Sequence, residues 1–390
     1  MSRSLQTSER IVIVGAGFAG LSAAVRLAQA GLPVTVLEQS KLGYAASSRN
    51  QGWLHSGAWF ARGHPNLARM CYDSLQQTLQ FCPECVEPGY GSMVYFSTSK
   101  QTGLSDWTQA LDPIGIPYER LSEIQLEQAL PTVSPQQRQS GLRLPDRSFR
   151  PDVLLSGLAA AARNAGVEIR SETFVNQLLV EDGCVYGVSV GADEEVRARL
   201  VVIAAGAYSR QSFSPLFEPA AGCQSDYRLV CLKAQLRAVE PETGCDPFCV
   251  IDSAGFNHLP HFGTSVFGTS HWKVVSSPDD EQLDAVETDV LDKQLQLLFP
   301  QGFGADCRIL DWAGTTVQAM HVDQIEPGDA PLPTIVNHAS EPCRVENVIS
   351  IFPGRATLWA HLAEKVRTAV LDRIGPRTLE TTHPPWALKP

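Results

Sequence analysis

Two short apolar runs near the beginning of the chain, IVIV at 11–14 and VTVL at 34–37, flank a segment with apolar residues at helical spacing. This pattern predicts a strand at 11–14, a helix at 18–30 and a second strand at 33–37. A glycine-rich turn joins the first strand to the helix. The three elements together predict a βαβ unit with parallel strands.

Further along, the pattern predicts an amphipathic helix at 151–166, a strand at 167–175, a hairpin at 176–190 and a strand at 200–209. We expect these strands to return to the first sheet. Alternating apolar and polar residues elsewhere indicate an antiparallel sheet, with a helix at 279–299. That sheet is expected from four segments, 92–99, 248–263, 265–276 and 307–321. The tail THPPWALKP is expected to be irregular.

Charge and composition narrow the class of partner. The 390 residues are 44% hydrophobic and 19% charged, with a net charge of -11. A nucleic-acid or anionic-membrane surface needs a basic footprint, so neither is expected, and small molecules are the favoured partners. No apolar run approaches the ~20 residues of a spanning helix, and the first ten residues are polar. We therefore expect a cytoplasmic protein with no integral membrane segment.

Ten cysteines are scattered between Cys71 and Cys343, most of them in apolar runs that favour reduced, buried thiols. Two pairs, Cys82 with Cys85 and Cys245 with Cys249, leave redox or metal chemistry open. A structural zinc site would need a repeated CxxC or a matching histidine pair, and the sequence has neither. No metal site is therefore predicted.

The turn GAGFAG is the strongest chemical signal. Gly15 permits a tight turn, Gly17 lets backbone N–H groups approach a pyrophosphate, and Gly20 allows close packing of helix against strand. Glu38 ends the second strand, where a carboxylate accepts hydrogen bonds from ribose hydroxyls. The combination predicts a dinucleotide site at a helix N-terminus. By itself it does not distinguish FAD from NAD.

Several later motifs carry a resemblance to a known family. The segments SSRNQGWLHSG, DRSFRPDVL, VVIAAGAYS and IFPGRATLWAHLAEKV, with the glycine turn and Val175, resemble the D-amino-acid-oxidase-like FAD oxidoreductase superfamily. GWLHSGAWF and PGRAT are most similar to its glycerol-3-phosphate and L-2-hydroxyglutarate dehydrogenase branch. The likeness runs from about residue 10 to about residue 372 and implies FAD as the cofactor.

The resemblance implies an α/β (α+β) fold, in which a Rossmann-type FAD-binding domain is interleaved with an antiparallel-sheet substrate domain. The FAD-binding domain would comprise 10–85, 146–215 and a closing strand and helix at 326–375. The substrate domain would comprise 86–145 and 216–325, and 376–390 would form a tail.

The resemblance also implies a set of cofactor contacts. Ser47 and Ser48 would face the pyrophosphate and ribitol, while Asn50, Gln51 and Gly52 would lie along the isoalloxazine. The remaining implied contacts are Gly15, Gly17, Phe18, Ala19, Gly20, Glu38, Gln39, Val175, Ala205, Gly206, Pro353, Gly354, Arg355, Ala356 and Thr357.

Two residues are candidates for catalysis. His55 would lie near the reacting end of the flavin, where an imidazole can take the hydroxyl or amine proton of a substrate. A histidine that merely orients its loop is the alternative. Arg355 would stabilise negative charge at the flavin N1–C2=O edge, and a plain surface arginine is its alternative. His261 and His271 are weaker candidates on the substrate side.

One position departs from the family pattern. Many relatives have an arginine at the position of Thr316, where a fork of donors grips a phosphate or carboxylate. The usual anionic substrates are therefore in doubt, although Arg150, Arg228 or a histidine could supply the charge instead.

The function expected from the sequence is oxidation of a small CH–OH or CH–NH group by hydride transfer to flavin N5, with an electron acceptor that the sequence does not identify. An oxygen-using amine or amino-acid oxidase of the same fold is one alternative. A non-catalytic FAD-binding sensor or partner subunit is another.

Overall fold

The computed structural model describes residues 9–100, 103–218, 225–253, 255–268, 270–327 and 330–374. Within these ranges the helices are α1 (Phe18–Gln29), α2 (Ala46–Arg49), α3 (Pro65–Phe81), α4 (Ser105–Leu111), α5 (Glu123–Ala129), α6 (Pro151–Asn164), α7 (Ser209–Ser212), α8 (Ala285–Leu298) and α9 (Trp359–Ile374). The strands are β1 (Ile11–Val14), β2 (Val34–Leu37), β3 (Trp53–Leu54), β4 (Val94–Ser97), β5 (Glu119–Leu121), β6 (Ser140–Arg143), β7 (Arg147–Ser148), β8 (Glu168–Arg170), β9 (Val175–Glu181), β10 (Cys184–Val190), β11 (Glu194–Arg197), β12 (Leu200–Ile203), β13 (Tyr227–Glu240), β14 (Phe248–Val250), β15 (Asn257–His261), β16 (Thr264–Gly268), β17 (Lys273–Val275), β18 (Arg308–His321), β19 (Thr334–Asn337) and β20 (Val348–Phe352).

Segments of the chain alternate between two compact units. The first unit is drawn from Met1–Ser48, Leu154–Cys231 and Thr316–Pro390, and the second from Arg49–Val153 and Leu232–Thr315. Residues 49–85 thus belong to the second unit, although the predicted ranges place them with the FAD-binding domain. The predicted ranges concern cofactor and substrate binding, and they stay a prediction.

The first unit contains a six-stranded sheet in the order β19-β20-β12-β1-β2-β8. β1 pairs in parallel with β12 on one side and with β2 on the other, and β19 is antiparallel to β20. All residues of β1, β2 and β12 are buried, which explains why these strands are continuous apolar runs in the sequence. The predicted βαβ unit is confirmed.

Several predicted elements end earlier than the pattern suggested. The strand predicted at 167–175 covers only Glu168–Arg170, and the strand predicted at 200–209 stops at Ile203. The hairpin of β9 and β10 forms a separate three-stranded sheet with β11 and does not join the nucleotide sheet. β12 returns to that sheet beside β1, and β8 pairs in parallel with β2 at its edge. The predicted irregular tail lies outside the described residues.

The second unit contains the expected, largely antiparallel sheet, in the order β17-β13-β16-β15-β14-β4-β6-β5, with β18 paired to β13. Buried Leu291, Leu295 and Leu298 of α8 belong to one hydrophobic cluster with Phe248 and Phe267 of the sheet. The helix begins at Ala285 rather than at 279, because the Asp284 side chain accepts hydrogen bonds from the first-turn N–H groups and caps it.

No helix within the described ranges combines the length and the apolar character that a bilayer-spanning helix requires.

Candidate functional site

The predicted cofactor residues of the first unit lie at one edge of its sheet. β20, β12, β1 and β2 are parallel neighbours, so their carboxyl ends meet at the same edge. The chain order then places there, in turn, the segments 353–357, 205–206 and 15–20, and Glu38. In open parallel sheets ligands bind at this edge, where the strand order reverses on the two sides of the first strand.

The turn after β1 is too tight for side chains. Gly15 has φ +106, in the left-handed region, and a Cβ on Gly20 would lie 1.9 Å from the Gly15 carbonyl oxygen. No L-residue with a side chain fits at position 20 without movement of backbone. The turn therefore places the N-terminus of α1 directly beside β1, as a pyrophosphate site requires.

Two polar side chains complete the edge at this turn. Glu38 is nearly buried, and its two carboxylate oxygens accept hydrogen bonds from the N–H groups of Ala16 (2.7 Å) and Ser40 (2.9 Å). The Phe18 N–H donates to Ser47 Oγ over 3.1 Å, which brings Ser47 to the N-terminus of α1. Each carboxylate oxygen of Glu38 retains a lone pair for a further donor such as a ribose hydroxyl.

The remaining predicted contacts of this unit differ in their surroundings. Ser48 is exposed and donates to the carbonyl oxygens of its own helix turn, at Tyr44 and Ala45. Gln39 is exposed, while Val175 is buried at the first residue of β9. Whether each one contacts the cofactor stays a prediction.

The predicted closing strand and helix are both present, and a short 3-10 turn lies between them. After β20 and Gly354 (φ +72), a 3-10 turn at Ala356–Leu358 precedes α9, which begins only at Trp359. Arg355 is the extended residue at the start of that turn. α9 packs on α1, where Ser22 Oγ donates to the Trp359 carbonyl oxygen (3.3 Å) and Arg26 Nε to Glu364 (3.0 Å). These contacts hold the Arg355 turn at the same sheet edge.

In the second unit, His55 lies among aromatic rings. It follows β3 directly and is 9% exposed. Its ring meets those of Trp53 and Phe60 edge to face, each at a centroid distance of 5.8 Å. These contacts fix the orientation of the imidazole within an apolar surrounding, where a proton acceptor is little screened by water.

A buried carboxyl group next to this cluster was missed by the sequence analysis. Asp146 is fully buried, and Trp53 Nε1–H (3.0 Å) and the Tyr95 hydroxyl (3.2 Å) donate to its Oδ1. Burial raises the pKa of Asp146, and hydrogen bonds from Ser56 and Trp53 oppose that shift. The carboxyl group therefore anchors the ring that contacts His55. Its segment, DRSFRPDVL, carries part of the family resemblance, but no role was assigned to Asp146 within it.

A second buried carboxyl group, Glu87, was also missed. Glu87 Oε1 lies 2.9 Å from Nδ1 of His261, and His261 Nε2–H donates to the Gln51 carbonyl oxygen over 2.9 Å. The structure thus joins two predicted residues, Gln51 and His261, through an acid that no motif marked. The only hint in the sequence is an acidic residue just after CPEC.

Other predicted substrate residues lie elsewhere. The His271 side chain is 65% exposed, and its contacts are with Glu287 of α8. Thr316 is a partly buried residue of β18. His258, on the same strand as His261, is buried between the rings of Phe248 and Phe267. Burial lowers the pKa of His258 to about 3, so it is a neutral core residue.

The two arginines suggested as substitutes for the missing one are already engaged. Arg228 Nη2 donates to the Gln324 and Ile325 carbonyl oxygens, 2.7 Å each. Arg150 donates to the Glu84 carbonyl oxygen over 2.9 Å, and its guanidinium lies over the Phe262 ring.

Most cysteines are free thiols, as expected. Cys82, Cys85, Cys245 and Cys249 are all free and buried. A hydrogen bond with Cys82, followed by burial, raises the pKa of Cys85, which makes its thiol a poor nucleophile. Cys343 is an exception to the expectation of reduced thiols because it forms a disulfide bond. Over the described part of the chain, no group of three or more His, Cys, Asp or Glu side chains could hold a metal ion.

Comparison with known proteins agrees with this geometry. The family model described as "DAO: FAD dependent oxidoreductase" matches residues 10–348. The chain belongs to the DAO family of FAD-dependent oxidoreductases. The resemblance predicted from the sequence is thereby confirmed, and so is FAD as the cofactor, because the family is FAD-dependent. The glycine turn, Glu38 and Ser47 fit such a dinucleotide.

Individual relatives of this DAO-family chain are distant. Subunit A1 of the anaerobic glycerol-3-phosphate dehydrogenase of Haloferax volcanii is 24% identical, covering 95% of this chain, and the chain spans 65% of that relative's length. Among solved structures, L-alpha-glycerophosphate oxidase from Mycoplasma pneumoniae aligns with a TM-score of 0.72 and 17% identity over 94% of this chain and 95% of that one. Glycine oxidase from Geobacillus kaustophilus aligns with a TM-score of 0.70 and 18% identity over 98% and 99%. These structures establish the fold.

Proposed function

We propose that this FAD-dependent enzyme oxidises a CH–OH or CH–NH group of a small molecule and that His55 is its catalytic base. The observation that carries the proposal is the position of His55. It lies three residues after Gly52, at the end of the segment expected along the isoalloxazine, with its ring held by Trp53 and Phe60. A base that must meet one substrate proton needs such a fixed orientation.

FAD supplies a two-electron acceptor at its N5 atom, so the substrate carbon would lose a hydride. The proton left on the substrate oxygen or nitrogen would pass to the His55 imidazole, and the product would be a carbonyl compound or an imine. Arg355, extended at the start of its 3-10 turn, would place positive charge at the flavin N1–C2=O edge. Loss of one hydride and one proton balances the oxidation.

Three other residues, Thr316, Arg150 and Arg228, favour a substrate without a small anionic group. A buried phosphate or carboxylate requires a charged partner, and Thr316 stands where many relatives have arginine. Both Arg150 and Arg228 bind backbone carbonyl oxygens. A neutral, cationic or larger alcohol or amine therefore fits this chain better than glycerol 3-phosphate or L-2-hydroxyglutarate.

The test is stopped-flow reduction of the bound flavin under anaerobic conditions. The panel contains both anions and a set of uncharged alcohols and amines. We expect bleaching by an uncharged or cationic member and slow or no bleaching by the anions. Rapid reduction by either anion at sub-millimolar concentration would contradict the proposed substrate class. Release of a cofactor other than FAD on denaturation, or no substrate that reduces the flavin, would contradict the proposed reaction.

A further inference from the structure

The peptide group between Gln51 and Gly52 is held on both of its polar sides. Its carbonyl oxygen accepts from His261 Nε2–H over 2.9 Å, and its N–H donates to Asn50 Oδ1 over 2.9 Å. The next carbonyl, of Gly52, accepts from the Phe149 N–H over 2.9 Å. The plane of this peptide is therefore fixed by three separate parts of the second unit.

Gly52 is required for this arrangement. Its φ is +75, in the left-handed region, and a Cβ at this position would lie 2.5 Å from Cε1 of His261 and 2.5 Å from the Phe149 carbonyl oxygen. Only the absence of a side chain lets the imidazole approach the backbone closely enough to bind the carbonyl of Gln51.

Donor and acceptor counting fixes the protons of the network. The Gln51 carbonyl oxygen can only accept, so Nε2 of His261 must carry a hydrogen. Nδ1 faces Oε1 of Glu87 at 2.9 Å, and an unprotonated nitrogen facing an unprotonated carboxylate would be a repulsive contact. One proton must lie between these two atoms, so the pair of side chains has no net charge.

Glu87 is buried, so its contact with His261 is shielded from water. The Glu87 side chain is 1% exposed, and its Oε2 is buried without a hydrogen-bond partner among the residues that the structure describes. A buried carboxylate that faced a bare imidazole nitrogen would have no donor on either oxygen, and burying such a charge is strongly unfavourable.

We propose that Glu87 is a positioning residue. By sharing one proton with Nδ1 of His261, it holds the imidazole ring with Nε2–H directed at the Gln51 carbonyl oxygen and so fixes the Gln51–Gly52 peptide. This inference rests on the proposed function in one respect, which is that residues 50–52 lie along the flavin. Nothing in the sequence motifs marks Glu87, and it contacts neither substrate nor cofactor in this account.

Two substitutions at Glu87 separate its hydrogen bond from its volume. In Glu87→Gln the amide N–H can donate to Nδ1 of His261, so Nε2–H still points at Gln51. In Glu87→Leu no hydrogen-bonding partner remains for Nδ1, so the ring is held only by the bond from Nε2–H to the Gln51 carbonyl oxygen. His261→Gln offers a second route, because its amide N–H can replace Nε2–H, whereas His261→Leu cannot.

The first measurement is independent of flavin chemistry. In protein labelled with ¹⁵N-histidine, with His261 assigned by its loss in His261→Gln, we expect a proton on Nε2 and a hydrogen-bonded Nδ1. In Glu87→Leu the Nδ1 signal should shift to that of a nitrogen without a hydrogen bond, and Glu87→Gln should preserve both the Nε2 proton and the hydrogen bond at Nδ1. A bare Nε2 in the wild-type protein, or identical histidine spectra in Glu87→Leu, would overturn the proposal.

The second measurement uses the FAD-loaded enzyme and the best reductant of the panel above. Misplacing a group by about 1 Å can cost about 10²-fold in rate, so Glu87→Leu should lower the limiting rate of flavin reduction by about 10- to 100-fold. It should also change the visible circular dichroism of the bound flavin. Glu87→Gln should stay within about threefold of wild type. Equal rates and equal flavin spectra in all variants would refute the positioning role.

The two measurements fail in different ways. If the wild-type protein bound no FAD, the proposed function would be wrong, while the histidine spectra would still test the shared proton. If FAD bound and substrate reduced it normally in Glu87→Leu, only the positioning role would be refuted.

Discussion

The glycine turn of the first unit and the His55 cluster of the second unit are built in different ways. The turn uses backbone groups of residues close in sequence, with a Cβ excluded at Gly20 by 1.9 Å from a carbonyl oxygen. The cluster uses contacts between residues far apart in the chain, such as Trp53 with Asp146 and the Gln51 carbonyl oxygen with His261. A nucleotide site can therefore be recognised from spacing alone, whereas the chemistry on the substrate side becomes visible only when the chain is folded.

The two regions also treat charge differently. Both oxygens of Glu38 bind backbone N–H groups at the edge of the sheet, next to the N-terminus of a helix. Asp146 and Glu87 are buried, and the side chains of Trp53, Tyr95 and His261 contact them. Substitutions in the first region should therefore act mainly on FAD binding and stability, and those in the second mainly on rate.

The largest expected effect on rate is at His55. In His55→Ala the protein should retain FAD, while substrate reduction of the flavin slows by about 10²–10⁴, the usual contribution of a general base. Stopped-flow absorbance under anaerobic conditions measures it. His64→Ala, which removes an exposed histidine nine residues away, is the matched control and should reduce at the wild-type rate. Wild-type-like reduction in His55→Ala would mean that His55 only orients its loop.

Gly20→Ala should produce the largest effect in the first unit. The added methyl group would lie 1.9 Å from the Gly15 carbonyl oxygen, so the turn or the helix must move. We expect a loss of about 3 kcal/mol in unfolding free energy, the upper part of the usual range for overpacking, together with loss of bound FAD. Chemical denaturation and flavin absorbance check both. Gly63→Ala is the control, since a Cβ there meets no atom within 4 Å. Full FAD content in Gly20→Ala would contradict the assignment of the turn.

Elements decided by local sequence pattern were predicted well, and elements decided by tertiary contacts were not. β1 and α1 were predicted closely because apolar periodicity decides them, and the helix in the second unit was predicted six residues too early. The preceding residues, 279–284, are not helical in the structure. Lys233 Nζ binds Asp280 there (2.7 Å), and Asp284 caps the helix. Such tertiary contacts override local propensity.

The candidate site shows the same limit. The positions of Ser47 and the glycines followed from motifs. Glu87 and Asp146 did not, because a carboxylate in a turn-like sequence is ordinarily exposed, and only the folded chain shows that both are buried.

A smaller effect is expected at the closing motif. Arg355→Met removes positive charge expected near the flavin N1–C2=O edge, so the flavin potential should fall and the sulfite adduct should weaken. A charge interaction of about 1–3 kcal/mol corresponds to about 20–60 mV for a two-electron couple. Dye-linked potentiometry measures the shift. Arg344→Met, at a side chain that is 73% exposed, is the control. An unchanged potential in folded Arg355→Met would leave Arg355 without the proposed role.

The smallest expected effect is on the pH dependence of the unfolding free energy, and it can be compared between the two units. Each contains a buried, neutral histidine. In the second unit burial lowers the pKa of His258 to about 3, and in the first unit burial, followed by the charge of Arg373, lowers the pKa of His338 to about 4. His258 Nδ1–H donates to the Asp246 carbonyl oxygen (3.3 Å), and His338 Nε2 lies 2.8 Å from Ser350 Oγ.

The direction of the stability change with pH depends on whether the folded or the unfolded chain binds the proton. Below an unfolded-state pKa near 6.5, the unfolded chain takes up a proton at each of these histidines and the folded chain does not, so unfolding becomes easier as pH falls. Between pH 7.5 and pH 5.5 each histidine should cost about 1.4 kcal/mol of stability.

His258→Gln and His338→Gln should each be less stable than wild type at pH 7.5 but lose about 1.4 kcal/mol less on acidification, as measured by urea unfolding at both pH values. Phe299→Leu, which weakens the same core as His258 without removing a titrating group, should keep the wild-type pH dependence. An identical pH dependence in wild type and His258→Gln would show that His258 takes up a proton in the folded state, and the same comparison for His338 would assign the effect to one unit or to both.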